Sequence, residues 1–307
     1  MPSLATPDVR LNYVRAGDGE HLVLIHGLGA NVSFWYFGAA RLLARTHNVL
    51  MYDLRGHGRS SMPPEGYGLQ QMVRDLAALI DFLGIDRADI AGHSFGGRVA
   101  MAFASLHPER VRNLVVADTQ VRALQPPVRL SEWAHWKQWK AELASHGLND
   151  LPSDESIISH KLLAKLSQAH GNIANEGRPR PRISLRTRDM GEKGLERWQE
   201  LLAQTSADRE FEDESLLVPT TLKAITAPTL LAFGKFSHCL PTADRLLDCI
   251  PNARLVVIPG AGHFFPIVKP AFFARVIEAF LVRRQVGGAP TVARRRIRRF
   301  TANRFSV

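Results

Sequence analysis

Apolar and polar positions fall into alternating blocks along the chain. Short runs at residues 9–16, 21–26, 48–53, 88–91, 111–118, 228–234 and 254–259 are largely apolar and are bounded by Gly, Pro or Asp. Runs of this length predict strands. Between them, residues 69–83, 95–106, 242–250 and 270–281 repeat apolar side chains at the spacing of one helix face. Strands that alternate with helices predict an α/β protein with a mostly parallel central sheet flanked by helices on both faces, because parallel neighbours need a crossover between them. The alternation breaks once. From 121 to 221 helical patterns follow one another at 131–146, 156–169 and 191–204 with no convincing strand between them. The expected organisation is therefore a core made of residues 1–120 and 222–282, an inserted helical cap at 121–221, and a tail at 283–307. No internal repeat interrupts this plan.

Composition fits such a plan. At 307 residues, with 45% apolar and 22% charged residues, the chain can bury one large core. The N-terminus carries no basic start followed by an apolar run, and no stretch approaches the length of a spanning helix, so a cytoplasmic location is expected. Two cysteines, Cys239 and Cys249, are too few for a disulfide framework, and no Cys/His spacing reads as a zinc site; neither a metal nor a cofactor is implied.

The formal charge of +10 is uneven. Eight arginines follow Glu278 with no acidic residue among them, which leaves +2 for residues 1–282. A nearly neutral body makes nucleic acid an unexpected partner. The tail starts with Gly287-Gly288-Ala289-Pro290 and continues into Arg294-Arg295-Arg296-Ile297-Arg298-Arg299, which reads as a solvated, disordered basic segment.

The chemistry concentrates in Gly92-His93-Ser94-Phe95-Gly96-Gly97, between the apolar run at 88–91 and a helix. A serine flanked by glycines at a strand-to-helix turn has the context of a nucleophile elbow, where a strained turn exposes Oγ at the edge of the sheet. Three further landmarks occur in order: Ile25-His26-Gly27-Leu28-Gly29, Asp53-Leu54-Arg55-Gly56-His57-Gly58-Arg59-Ser60, and Gly260-Ala261-Gly262-His263. With these four motifs the chain resembles an α/β-hydrolase of the capped, cofactor-independent kind that includes esterases, enol-lactonases, carbon-carbon bond hydrolases and thioesterases. The resemblance spans roughly residues 9–282.

That resemblance implies that Ser94 is the nucleophile and that the N–H groups of Leu28 and Phe95 form an oxyanion hole. His263, after the last strand and after the serine in chain order, is the expected base. Asp53, Arg55 and His57 read as residues that lock their own loop. The acid departs from the family pattern. Ser237 stands where relatives carry an aspartate, between Gly234 and Pro241. Asp118, at the end of Val115-Val116-Ala117, is the preferred third member of the triad; Asp244 is an alternative, as is a site with no carboxylate at all. Asp118→Asn should then lower turnover by orders of magnitude and Ser237→Ala little.

A serine nucleophile favours acyl chemistry over epoxide or halide displacement, which needs a carboxylate nucleophile. The expected activity is a serine hydrolase that cleaves an ester, lactone or thioester through an acyl-enzyme. Two alternatives stand beside it: a catalytically weakened relative that binds a small hydrophobic ligand, and a cofactor-free lyase that uses His263 as base. His26, Trp133 and Trp136 are candidate substrate-pocket residues, and Trp139 and Trp198 complete a tryptophan-rich cap. A basic loop with Arg178, Arg180, Arg182, Arg186 and Arg188 suggests a coenzyme A thioester or an acyl carrier protein among the conceivable partners.

Overall fold

A computed structural model describes residues 2–133, 136–145, 151–160 and 191–285. Its strands are β1 (Ser3–Ala5), β2 (Arg10–Ala16), β3 (Glu20–Ile25), β4 (His47–Tyr52), β5 (Ala88–His93), β6 (Val111–Ala117), β7 (Thr229–Gly234) and β8 (Ala253–Ile258). They form one sheet in the order β1-β2-β4-β3-β5-β6-β7-β8. The first two strands pair antiparallel, and every pair from β3–β4 onward is parallel. This is the α/β-hydrolase fold.

The two faces of the sheet follow from the two-residue period of a strand. Val23 and Ile25 of β3, with Leu50 and Tyr52 of β4, share a core with helices α3 (Leu69–Phe82) and α4 (Phe95–Leu106), taking α1 as Ser33–Tyr36 and α2 as Ala39–Leu43. Leu22 and Leu24, with Val49 and Met51, face the opposite core, which α1 and α2 help to close. Each such side chain contributes about 1.5–3 kcal/mol on burial. Burial on both sides is why β5 and β7 are covered along their whole length and why β7 is apolar without alternation after Thr229.

Between β6 and β7 the described residues carry α5 (Trp136–Ser145), α6 (Gly191–Gln204), α7 (Ala207–Glu210) and α8 (Pro219–Lys223) and no named strand. After β7 come α9 (Leu240–Cys249), α10 (Phe265–Val268) and α11 (Pro270–Gln285). Helix α6 docks through Trp198, whose ring lies 6.0 Å from Phe211 and 5.6 Å from His57. Phe211 in turn meets Phe95 at the start of α4, 5.2 Å away. The helical segment thereby rests on the strand ends that carry the elbow.

Several boundaries differ from expectation. The helix expected at 131–146 is broken: Leu130–Glu132 is a short 3-10 turn, and α5 starts only at Trp136. Residues 156–159 are not helical, and Ile157 instead bridges to Arg129. Residues 161–169 of that expected helix, the arginines at 178–188 and the tail beyond 285 lie outside the described residues. Among those described, no helix is long and apolar enough to cross a membrane.

Candidate active site

The chain turns from β5 to α4 at Ser94, whose φ of 55° and ψ of −119° lie in a region that side-chain-bearing residues avoid. Holding a residue there costs about 1–3 kcal/mol, which the surrounding packing must offset. The flanking glycines are required by space. A Cβ on Gly92 would lie 2.1 Å from the Gly96 carbonyl oxygen, and one on Gly96 only 2.3 Å from that of Ile25. The Ser94 N–H donates to the Ala117 carbonyl at 3.0 Å, and the Ser94 carbonyl accepts from Thr119 Oγ1 at 3.0 Å. The elbow is therefore tied to the end of β6, where Asp118 follows.

Asp118 is fully buried and, like Ser94, has a positive φ, 48°. Its Oδ2 accepts from the Gly234 N–H at 2.7 Å. Its Oδ1 accepts from the Ser237 hydroxyl and from His263 Nδ1, the latter at 2.9 Å. Burial pushes the Asp118 carboxyl above its usual range, while the Gly234 N–H and the Ser237 hydroxyl oppose that rise. Burial pulls His263 down to about 4, so the ring is neutral near pH 7. A neutral imidazole that donates Nδ1–H to a carboxylate must leave Nε2 as its acceptor nitrogen.

His93, next to the serine, holds the other side of this loop. Its Nε2 lies 2.9 Å from the His263 carbonyl, so it is the donor, and its ring lies 4.8 Å from the His263 ring. Phe34 stacks on His93 at 4.7 Å. Burial, and then the neighbouring His263, drive His93 down to about 3, which keeps it neutral.

Gly27 lies against the elbow: a Cβ there would be 3.0 Å from Ser94 Cβ. Among the described residues, no backbone hydrogen bond is donated by the N–H of Leu28 or of Phe95. Phe95 directly follows the serine in the chain, and Leu28 follows the Gly27 that packs against it.

The other expected site residues divide. Trp133 reaches the site, with its ring 6.3 Å from His238, which in turn lies 5.1 Å from His263. Trp136 is buried, and its Nε1 donates to Asp154 at 2.7 Å. His26 is fully buried as well; its Nδ1–H donates to Gly27 at 2.8 Å and its Nε2 accepts from the Leu54 N–H at 3.1 Å, which leaves no ring nitrogen for a ligand. Asp53 accepts from the Val32 and Arg59 N–H groups and from Asn12 Nδ2, and Arg55 makes a two-pronged, buried pair with Asp75 at 2.6 Å. Asp244 lies exposed on α9.

The fold also assembles a group that the sequence reading overlooked. Cys239 Sγ lies 3.4 Å from His238 Nε2 and 3.6 Å from His263 Nδ1. The spacing of 238, 239 and 263 matches no metal-binding motif, and only the return of β8 beside β7 brings the three together.

The strained Ser94 turn follows β5, the buried Asp118 carboxylate follows β6, and the neutral His263 imidazole that contacts it follows β8. The chain belongs to the alpha/beta hydrolase fold family, whose match covers residues 20–270. A proposed carbamate hydrolase, RutD, of Azorhizobium caulinodans is 37% identical over 291 residues, covering 91% of this chain and 98% of that protein. The 2-hydroxymuconate semialdehyde hydrolase of Pseudomonas sp. (strain CF600) is 28% identical, covering 89% of this chain and 90% of its own length. Among solved structures, the N-acyl homoserine lactone degrading enzyme Est816 matches with a TM-score of 0.60 at 25% identity, covering 91% of this chain and all of that one.

Proposed function

We propose that this protein is a serine hydrolase that cleaves a carboxylic ester, lactone or thioester through an acyl-enzyme on Ser94. The observation that carries the reading is the 2.9 Å contact of Asp118 Oδ1 with His263 Nδ1, which supplies the carboxylate missing at position 237. In this reading Ser94 Oγ attacks the carbonyl carbon as His263 Nε2 takes its proton. The Leu28 and Phe95 N–H groups receive the oxyanion, each worth about 3 kcal/mol by analogy with removal of such a donor. The imidazolium then protonates the leaving group, and the same imidazole activates the water that releases the acid. Asp118 holds the tautomer and stabilises the imidazolium throughout.

The relatives support hydrolysis without choosing the bond, since their names cover a carbamate, a semialdehyde and a lactone. Among the described residues of the inserted segment, Trp133, beside His238, is the one proposed to meet an acyl group.

A fluorophosphonate probe tests the reading. The expected result is covalent labelling of the intact protein, abolished by Ser94→Ala, together with turnover of nitrophenyl esters that Ser94→Ala also loses. No labelling would overturn the assignment of Ser94, and turnover that survives in Ser94→Ala would favour a lyase based on His263.

A further inference from the structure

We propose that His238, Cys239 and His263 form a binding site for a thiophilic divalent ion of the zinc type, and that capture of the ion silences His263.

The donor atoms are Nε2 of His238, Sγ of Cys239 and Nδ1 of His263, and all three lie within 4.8 Å of one another. A tetrahedral zinc ion with bonds of about 2.3 Å to sulfur and about 2.0–2.1 Å to nitrogen requires sulfur-to-nitrogen separations of about 3.5 Å. The observed separations are 3.4 and 3.6 Å. The two sulfur-to-nitrogen edges thus already have the required length, while the imidazole nitrogens, within 4.8 Å of each other, must close to about 3.4 Å around an ion. Two imidazoles and one thiolate suit zinc, cobalt or cadmium, whereas magnesium and calcium demand oxygen donors. Three protein ligands leave one position for water.

Ligation changes the proton inventory at a defined place. The Cys239 thiol releases one proton to solvent as its sulfur bonds the metal. His263 Nδ1 now faces two claimants, the ion and Asp118 Oδ1 at 2.9 Å. To bond the ion it must give up its proton, and the ring proton moves to Nε2. A ring protonated at Nε2 cannot accept the Ser94 proton. Asp118 keeps its bonds from Gly234 and Ser237, so the pocket stays intact while the base is withdrawn. The binding half of this inference stands on geometry alone; the silencing half rests on the hydrolase reading above.

Cobalt(II) added to the full-length protein gives a readout that does not depend on turnover. A thiolate-to-cobalt charge-transfer band at one ion per chain is expected in the native protein and in Cys249→Ser, which removes the other cysteine. It is expected to vanish in Cys239→Ser and to weaken in His238→Gln. A band that persists in Cys239→Ser, or none in the native protein, overturns the site. Zinc at the same stoichiometry should suppress fluorophosphonate labelling, and a chelator should restore it. Zinc-insensitive labelling alongside an intact cobalt band overturns the silencing half. Absence of labelling before any metal is added is instead a failure of the hydrolase reading, and leaves the cobalt band as the measure of the site.

Discussion

Asp118 and His263 stand 145 positions apart in the chain and 2.9 Å apart in space, joined through Oδ1 and Nδ1. Removing the charge while keeping the shape isolates what this contact does. Asp118→Asn is expected to lower kcat on an activated ester by about 10³–10⁴-fold, because the amide cannot stabilise the imidazolium and can favour the wrong tautomer. Ser237→Ala removes one of three donors to the carboxylate and should cost about tenfold or less. Steady-state kinetics of both variants check the ranking, and the reverse order would make Ser237 the true orienter.

Gly27 offers a test of the oxyanion side. A methyl group there would sit 3.0 Å from Ser94 Cβ and 3.3 Å from the His93 carbonyl oxygen, while the backbone has no positive φ to forbid alanine. Gly27→Ala should therefore fold but displace the Leu28 N–H, slowing acylation toward the roughly 10²-fold loss seen when one such donor is removed. The pre-steady-state burst of an ester substrate measures this directly; an unchanged burst rate with a normal melting temperature would place the oxyanion donors elsewhere.

The buried Arg55–Asp75 pair predicts a stability effect. Both side chains are almost fully covered and share two hydrogen bonds of 2.6 Å. Asp75→Ala leaves a guanidinium buried and unpaired and should cost about 3–5 kcal/mol in urea unfolding. A double variant, Arg55→Leu with Asp75→Ala, should regain a substantial part of that loss. If it is no more stable than Asp75→Ala alone, charge burial is not the cause.

Acid should weaken the fold through His26 and His57. Burial holds them neutral, with pKa values lowered from 6.5 to about 4 and about 3. In the unfolded chain both charge near pH 6.5, so the unfolded state binds more protons below that value. Their contribution is complete above pH 6.5 and is lost as pH falls toward 4 and 3. Urea midpoints should drop steadily across that window, and His57→Gln should flatten the slope relative to the native protein. Identical slopes would remove His57 from the groups responsible for the acid sensitivity.

Much of this arrangement was legible in the chain. The parallel strands were readable because burial on both faces removes polar residues from them, as in Thr229–Gly234. Ser94 and His263 were readable because turn chemistry ties them to strand ends. Helices α1 and α2 were not, since four or five residues carry too little periodicity. The break before Trp136 escaped as well, because apolar spacing runs through it unaltered. His26 shows a different limit: a motif places a histidine but does not reveal that two backbone groups already occupy its ring. Cys239 was opaque for a third reason, since its partners include His263, brought back by a separate strand.

The parallel pairing of β6 with β7, Ala117 opposite Ala232, has a consequence for where an acid can reside. Strand ends about 4.8 Å apart offer two starting points for one carboxylate. Ser237 and Asp118, 119 positions apart in the chain, already meet through a hydrogen bond. The acid is thus a property of a place between two strands rather than of a residue number. Ser237→Asp alone would set two anions against each other, whereas exchanging the two residues would hand the same task to the neighbouring strand.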